Sequence, residues 1–309
     1  QGQVRFSDQG FSLQGVQAYA LGGSLTVQGG MKSAQSGVRI RDRGQATAQG
    51  LQAERSLPLV SELARFGEGQ AAYEIDVASQ RGQQAIVVRS DLRGMAFNMP
   101  APLNKTAEQA LPLSVAQTLF DKGLQELRVD VADRGHVTYL QDVSVQPSQV
   151  ITGRIVVGKE DAGAPADTGQ GVSASVQLPQ LDADAWLELL ETQGASGAVS
   201  AQAKAFLPQH LYVQIDELML RQRQIRQVQA RVVQANGGWH GQLNAQQFGG
   251  YVEYQPPSTR HVSGRLFARL EHLSLPKAEA QRMNEATQTE ADPDSLPALD
   301  IQVDALTIS

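Results

Sequence analysis

IVVRSDLRGMAFNMPAPLNK, from Ile86 to Lys105, combines the two kinds of instruction that shape this chain. Ile86 to Ser90 reads as a strand, Gly94 as a bend, and Met99-Pro100-Ala101-Pro102 as an extended exit. A proline has no N–H to give to a sheet, so positions 100 and 102 exclude a central strand there. The residue ahead of each proline is pushed to extended geometry, which stiffens Met99 and Ala101 as well. The sequence on both sides is built of short alternating runs. The stretch is therefore expected to be a seam between two segments of sheet.

Working outward, Val16, Ala18 and Ala20 alternate with Gln17 and Tyr19, then Gly22-Gly23 follow, then Leu25 and Val27 alternate with Thr26 and Gln28. A Gly-Gly pair between alternating runs predicts a two-residue hairpin. The pattern of VQAYALGGSLTV (Val16–Val27) returns in LNAQQFGGYVEY (Leu243–Tyr254), which predicts the same hairpin used again. Pro58, the helical spacing of Leu59, Val60, Leu63 and Phe66, and Gly67 predict a short helix near 57–66. Strands are expected at Leu111–Val115, Leu127-Val129-Val131, Val137–Tyr139 and Val143–Val145. Val172-Ala174-Val176-Leu178 alternates with Ser173, Ser175 and Gln177, the signature of a half-buried strand. Leu211-Val213-Ile215 and Leu266-Ala268-Leu270 repeat it. LDADAWLELLE predicts a second helix near 182–191, with Asp182 as N-cap, Asp184 at the positive end of the dipole, and Trp186, Leu189 and Leu190 on the apolar side. Residues 158–171 read as a surface loop and 277–297 as a flexible linker. The expected organisation is a first β-sheet segment over 1–105, a continuing segment over 106–275, a linker over 276–298, and the start of a further strand over 299–309.

Composition narrows the function classes. Of 309 residues, 41% are hydrophobic, so there is enough apolar surface for one large or two ordinary cores. A net charge of −6 without a basic cluster argues against nucleic acid as a partner. The absence of cysteine excludes disulfides and thiolate metal sites. No apolar run reaches the roughly 20 residues of a membrane span. The chain begins and ends in strand patterns, and is expected to be an internal fragment whose export signal or anchor lies elsewhere.

No catalytic or metal-binding constellation emerges. The histidines at 136, 210, 240, 261 and 272 lack ligand spacing, and His240 is expected at a turn. Gly67-x-Gly69 and Gly169-x-Gly171 precede strands, the reverse of a dinucleotide fingerprint. Helix capping accounts for Asp182 and Asp184 without a carboxylate pair. No cofactor is expected. What remains is an excess of strands over the helices that could cover them. Either two sheets pack on each other, as in a sandwich or β-solenoid, or one sheet curls with its inner face open.

Ser90 to Lys105, with the ALPL of 110–113, resembles the YhdP-type members of the AsmA-like family of Gram-negative envelope proteins. The shared positions are Ser90, Leu92, Gly94, Pro100, Ala101, Pro102, Leu103, Lys105 and Pro112, with Met99 where leucine is usual. LPQLDADAWLELL (Leu178–Leu190) is similar to the family's L-D-x-D-x-W segment through Asp182, Asp184 and Trp186, and GRLFARLEHLSLP (Gly264–Pro276) matches its style. The resemblance implies an all-β fold, a long antiparallel-rich sheet curled into an open groove with an apolar interior. It further implies a periplasmic, non-enzymatic piece of an inner-membrane-anchored protein that holds phospholipid acyl chains and conducts lipid between inner and outer membranes, meeting both membranes through regions outside this fragment. The family lends no catalytic residue. The rows expected to line the groove are Val172-Ala174-Val176-Leu178, Leu211-Val213-Ile215, Leu127-Val129-Val131 and Leu266-Ala268-Leu270. The alternatives are a closed β-solenoid or sandwich with a scaffolding role, and, ranked last because only two tryptophans are present, a carbohydrate-active β-protein.

Overall fold

The structure, a computed structural model, describes the chain except residues 1, 32, 34–36, 55–57, 81–82, 160–169, 195–203, 222, 257–263, 276–297 and 309. Among the described residues there are nineteen strands, three α-helices and one 3-10 turn. The fold is all-β, and its sheet is open and does not close into a barrel. Two compact units are present: Gln1–Val156 with Asp167–Val172 and Ala185–Leu207, and Val157–Ala166 with Ser173–Asp184 and Pro208–Ser309. That division falls elsewhere than the expected boundary at 105.

The first unit holds β1 (Gln3–Ser7), β2 (Gly10–Ala20), β3 (Gly23–Met31), β4 (Val38–Thr47), α1 (Ala48–Gln52), α2 (Pro58–Ala64), β5 (Gly67–Gln80), β6 (Gln83–Ser90), β7 (Met95–Phe97), β8 (Leu113–Leu119), β9 (Leu124–Val131), β10 (Gly135–Asp142) and most of β11 (Gln149–Gly158). Antiparallel pairings run from β1 to β6 in sequence order, and then from β6 through β8 and β9 to β10. A tight turn joins β2 to β3 as expected, but it is made by Leu21 and Gly22, with φ of 53° and 79°, one residue before the expected pair, and Gly23 opposite Ala20 already belongs to β3. The helix expected near 57–66 is α2. The unexpected α1 is one turn long and is capped by Thr47, whose Oγ1 accepts the Gly50 N–H at 3.0 Å.

Residues 86–105 are not a seam. β6 pairs directly with β8, Ser90 opposite Leu113, so 91–112 is an excursion that leaves the sheet and returns to the same place. The prolines keep 100 and 102 out of the ladder, as their missing N–H requires, but the ladder closes behind them. Within the excursion β7 folds back on the start of β5. Two further strand expectations are corrected. β8 begins at Leu113, because the Leu111 N–H is bonded to Asp91 outside the ladder. Val143–Val145 is not a strand: the Asp142 carboxylate accepts from the Ser144 N–H and hydroxyl, a local bond that ends β10.

The second unit holds most of β12 (Gly171–Asp182), β13 (His210–Leu220), β14 (Arg223–Ala235), β15 (Gly238–Asn244), β16 (Phe248–Gln255), β17 (Arg265–Leu275), β18 (Ala298–Val303) and β19 (Leu306–Ile308). β12 pairs parallel with β13, antiparallel ladders follow to β17, and β18 and β19 lie parallel to β17. The second helix is α3 (Ala183–Gly194); Asp184 lies in its first turn and accepts the Arg221 N–H. His240 lies inside β15 and not at a turn, which is made by Asn236 and Gly237 instead. Nor does Gly249-Gly250 turn a hairpin: both glycines lie within β16, at a register shift. The loop read at 158–171 and the linker read at 277–297 lie, apart from the ends of the first, outside the described residues.

Two bulges keep the sheet's faces in phase. In β2 the apolar alternation shifts from odd to even numbers, Phe11 and Leu13 giving way to Val16 and Ala18. The register slips between Leu13 and Val16, so all four stay on one face. In β17 it shifts from Leu266, Ala268 and Leu270 to Leu273, and the extra residue lies at the shift opposite Gly249 and Gly250. A period of two means that an uncorrected shift would turn every later side chain over.

Candidate functional site

Residues directly opposite each other on paired strands share a face, so the ladders can be followed into rows. In the second unit one row reads Val176, Val213, Ala230, Leu243, Gly250, Leu270, Val303, and the next Ala174, Leu211, Val232, Gly241, Val252, Ala268, Ile301. The opposite face carries Gln177, Gln214, Gln229 and Asn244, and Tyr212, Arg231 and Gln242. Each row runs across the strands without a polar interruption. Leu178, Ile215 and Val228 are buried at one end of this face, with Val176, Leu181 and Val213 among the residues packed on them. Val176, Val213, Val232, Leu243 and Val252 remain half-buried. A face fully covered by a second layer would bury such side chains.

The first unit repeats the design. Its middle row is Val16, Val27, Asp42, Ile75, Val88, Val115, Val129, Val137, flanked by one through Leu13, Ile40, Val77, Ile86, Gln117 and Leu127 and one through Leu25, Gly44, Tyr73, Ser90, Leu113 and Val131, so that Gln117 and Ser90 interrupt the flanking rows. The face becomes polar at Ser79, Gln84, Gln125 and Gln141. Its reverse is laced with charge: Arg41 and Arg89 hold Asp76 at 2.9 and 3.1 Å, Arg43 holds Glu74 at 2.8 Å, and Arg128 holds Asp130 at 3.0 Å. These pairs are largely exposed, and each contributes little to stability; they mark which side faces water.

All the residues expected to line a groove lie on these apolar faces: Leu127, Val129 and Val131 in the first unit, and Ala174, Val176, Leu178, Leu211, Val213, Ile215, Leu266, Ala268 and Leu270 in the second. Val172 shares the face of the first unit but is only 1% exposed. It lies with the Tyr139 ring beside Gly153, where a side chain at 153 would collide with both. Phe206 closes over Tyr139, ring edge to face at 5.0 Å, and its carbonyl accepts the Tyr139 hydroxyl at 2.9 Å. Burial pushes the Tyr139 pKa up to about 12. That patch is sealed, and nothing in the spacing of residues 139 and 206 announces the contact.

The motif residues build the excursion and no reactive site. Ser90 Oγ donates to Ala72 O at 2.7 Å and accepts the Leu92 N–H at 3.0 Å, turning the chain out of β6. Gly94, at φ 89°, sits where any side chain would strike Gln70 O. Leu103 N–H returns to Pro100 O at 3.0 Å, and Pro102 O accepts from Arg134 at 2.9 Å. Lys105, 4% exposed, donates from Nζ to Met95 O at 2.7 Å and Thr106 O at 2.9 Å; burial lowers its pKa. Trp186 Nε1–H reaches Ala101 O at 2.9 Å, joining the two motif segments within the first unit. Asp182 ends β12, opposite Met219.

A charged residue on the apolar face went unread in the sequence. Asp42 sits in the apolar phase of VRIRDRGQAT (Val38–Thr47), a position visible there once the strand is recognised. Among the described residues no cluster of His, Cys, Asp and Glu suited to a metal is present.

An open sheet with one apolar face in each unit defines an all-β protein. The family model for YhdP proteins matches residues 1–309, the whole chain, and the chain belongs to the YhdP family. That membership points to the AsmA-like group and to the Gram-negative envelope. No curated protein and no solved structure matches the chain.

Proposed function

We propose that this chain is a lipid-carrying stretch of a periplasmic, inner-membrane-anchored protein, holding phospholipid acyl chains against its apolar faces and passing them between the inner and outer membranes without catalysing a reaction. The observation that carries this is the pair of register-matched rows in the second unit, apolar on every strand from β12 to β18 and still half-open at Val176, Val213 and Val252. Burying acyl chain contributes about 0.8 kcal/mol per CH₂, so such a surface holds a diacyl lipid firmly. Transport requires the binding energy to change little from one strand to the next. Along the second unit, a row of Val, Leu, Ile, Ala and Gly repeated about every 4.8 Å supplies that evenness.

The test is photo-crosslinking in cells. A photoreactive residue replaces Val213 or Val129 on the apolar faces, with Gln229 and Glu126, on the opposite faces, as controls. Phospholipid adducts are expected at 213 and 129 and not at 229 and 126. Equal labelling at all four positions, or none with the protein folded, would instead assign these faces a structural role in the envelope.

A further inference from the structure

The middle row of the first unit's apolar face holds seven β-branched residues and one aspartate, Asp42. The arginines next to it in sequence serve the other face, Arg41 on Asp76 and Arg43 on Glu74. Asp42 Oδ1 is buried and has no hydrogen-bond partner among the described residues. One strand over, Tyr73 is 5% exposed and its hydroxyl is also without a partner. The ladder makes them diagonal neighbours, since Asp42 opposes Ile75 and Gly44 opposes Tyr73. The tyrosine ring leans across β4: a methyl group at 44 would lie 2.8 Å from both its Cζ and its hydroxyl oxygen. Glycine at 44 thus leaves room for the phenol to lie across β4, two residues along the strand from Asp42. Burial raises the pKa of both groups, and the charge of Asp42 raises that of Tyr73 further, as close neighbours require.

An unpaired carboxylate on an apolar surface is unfavourable until something donates to it. The missing partner is a donor, and a positive one fits best. A primary ammonium offers three N–H donors with its charge, enough for Asp42 Oδ1 and the Tyr73 oxygen together. A quaternary ammonium has no N–H to give, and an anion would be repelled. We propose that Asp42 and Tyr73 form a binding site for a primary ammonium group within the apolar face of the first unit. The site rests on the lipid-carrying reading, in which an ethanolamine headgroup is the source of the ammonium; a free soluble amine is the other possible source.

The experiment titrates the chain by calorimetry with dihexanoyl phosphatidylethanolamine, dihexanoyl phosphatidylcholine (each below its micelle threshold) and ethanolamine alone. Wild type, Asp42→Asn, Tyr73→Phe and Gly44→Ala are compared, with circular dichroism to verify folding. Wild type is expected to prefer the ethanolamine lipid by about ten-fold, the scale of one charge-assisted hydrogen bond. The preference should vanish in Asp42→Asn with choline-lipid affinity unchanged, and shrink in the other two variants. Ethanolamine binding as tightly as its lipid, and only with Asp42 present, would establish the ammonium site with a soluble amine as its ligand. Equal binding of the two lipids by wild type, or a preference that survives Asp42→Asn, would overturn the site and leave the lipid reading standing. If none of the three binds, both fall.

Discussion

Lys105 gives its ammonium to two backbone carbonyl oxygens, and Ser90, Gly94 and Pro102 likewise hold the excursion in shape. Its residues specify a fold detail, which is why a reading of the motif alone identifies a family without locating a site. Asp42 is the opposite case, a residue whose surroundings work against it. Its carboxyl pKa is raised by burial, so the folded chain favours the protonated form more than the unfolded chain does. The resulting stability is complete below the ordinary value of 3.8 and is lost as pH rises through the raised folded value. Tyr73, the titratable group beside it, stays protonated over that range. Asp42→Asn is therefore expected to melt above wild type at pH 7, with the gap closing on acidification and absent below pH 3.8. A gap that is constant with pH would mean that the aspartate is not held in a disfavoured charge state. Asp42 was legible in principle, since strand alternation places it inward. Its bare Oδ1 was not, because that depends on which strands stand beside it.

The strands themselves were the most legible elements. Alternation alone placed Val172–Leu178, Leu211–Ile215 and Leu266–Leu270 in strands and on one face. Where the reading failed, a local signal had two structural solutions. Gly22 helps turn a hairpin after Ala20, yet Gly249-Gly250 lies at a bulge, because glycine suits both a tight turn and a crowded, strongly bent strand. Proline at 100 and 102 was taken as a boundary of the sheet, when only the excursion needed to leave it. The bulge in β17 makes a sharp prediction. Deleting Glu271 should force Leu273 off the apolar face or break the pairing with β16, costing several kcal/mol, as large core disruptions do. Glu271→Ala, which keeps the count, should stay within about 0.5 kcal/mol of wild type. Denaturant melts of the two variants would decide; equal stability would mean that the bulge does not set the register.

At the scale of the whole molecule, each unit is a ladder in which nearly every strand pairs with the one just before or after it. Such pairing makes the lining repetitive, so single neutral substitutions along a row should matter far less than a charge. It also has a consequence for how the chain acquires its structure. Antiparallel neighbours close across short turns and can form as soon as both strands exist, whereas a parallel pair must wait for a long return. In the second unit β12 meets β13 only after residues 183–209, and β17 meets β18 only after 276–297. Pulsed hydrogen exchange during refolding should therefore find β14, β15 and β16 protected first, and β12 and β18 late; simultaneous protection of all five would contradict it. The antiparallel core of this unit then has a life of its own before its borders are fixed, and those two parallel joints set the pace at which a newly made chain becomes a finished surface.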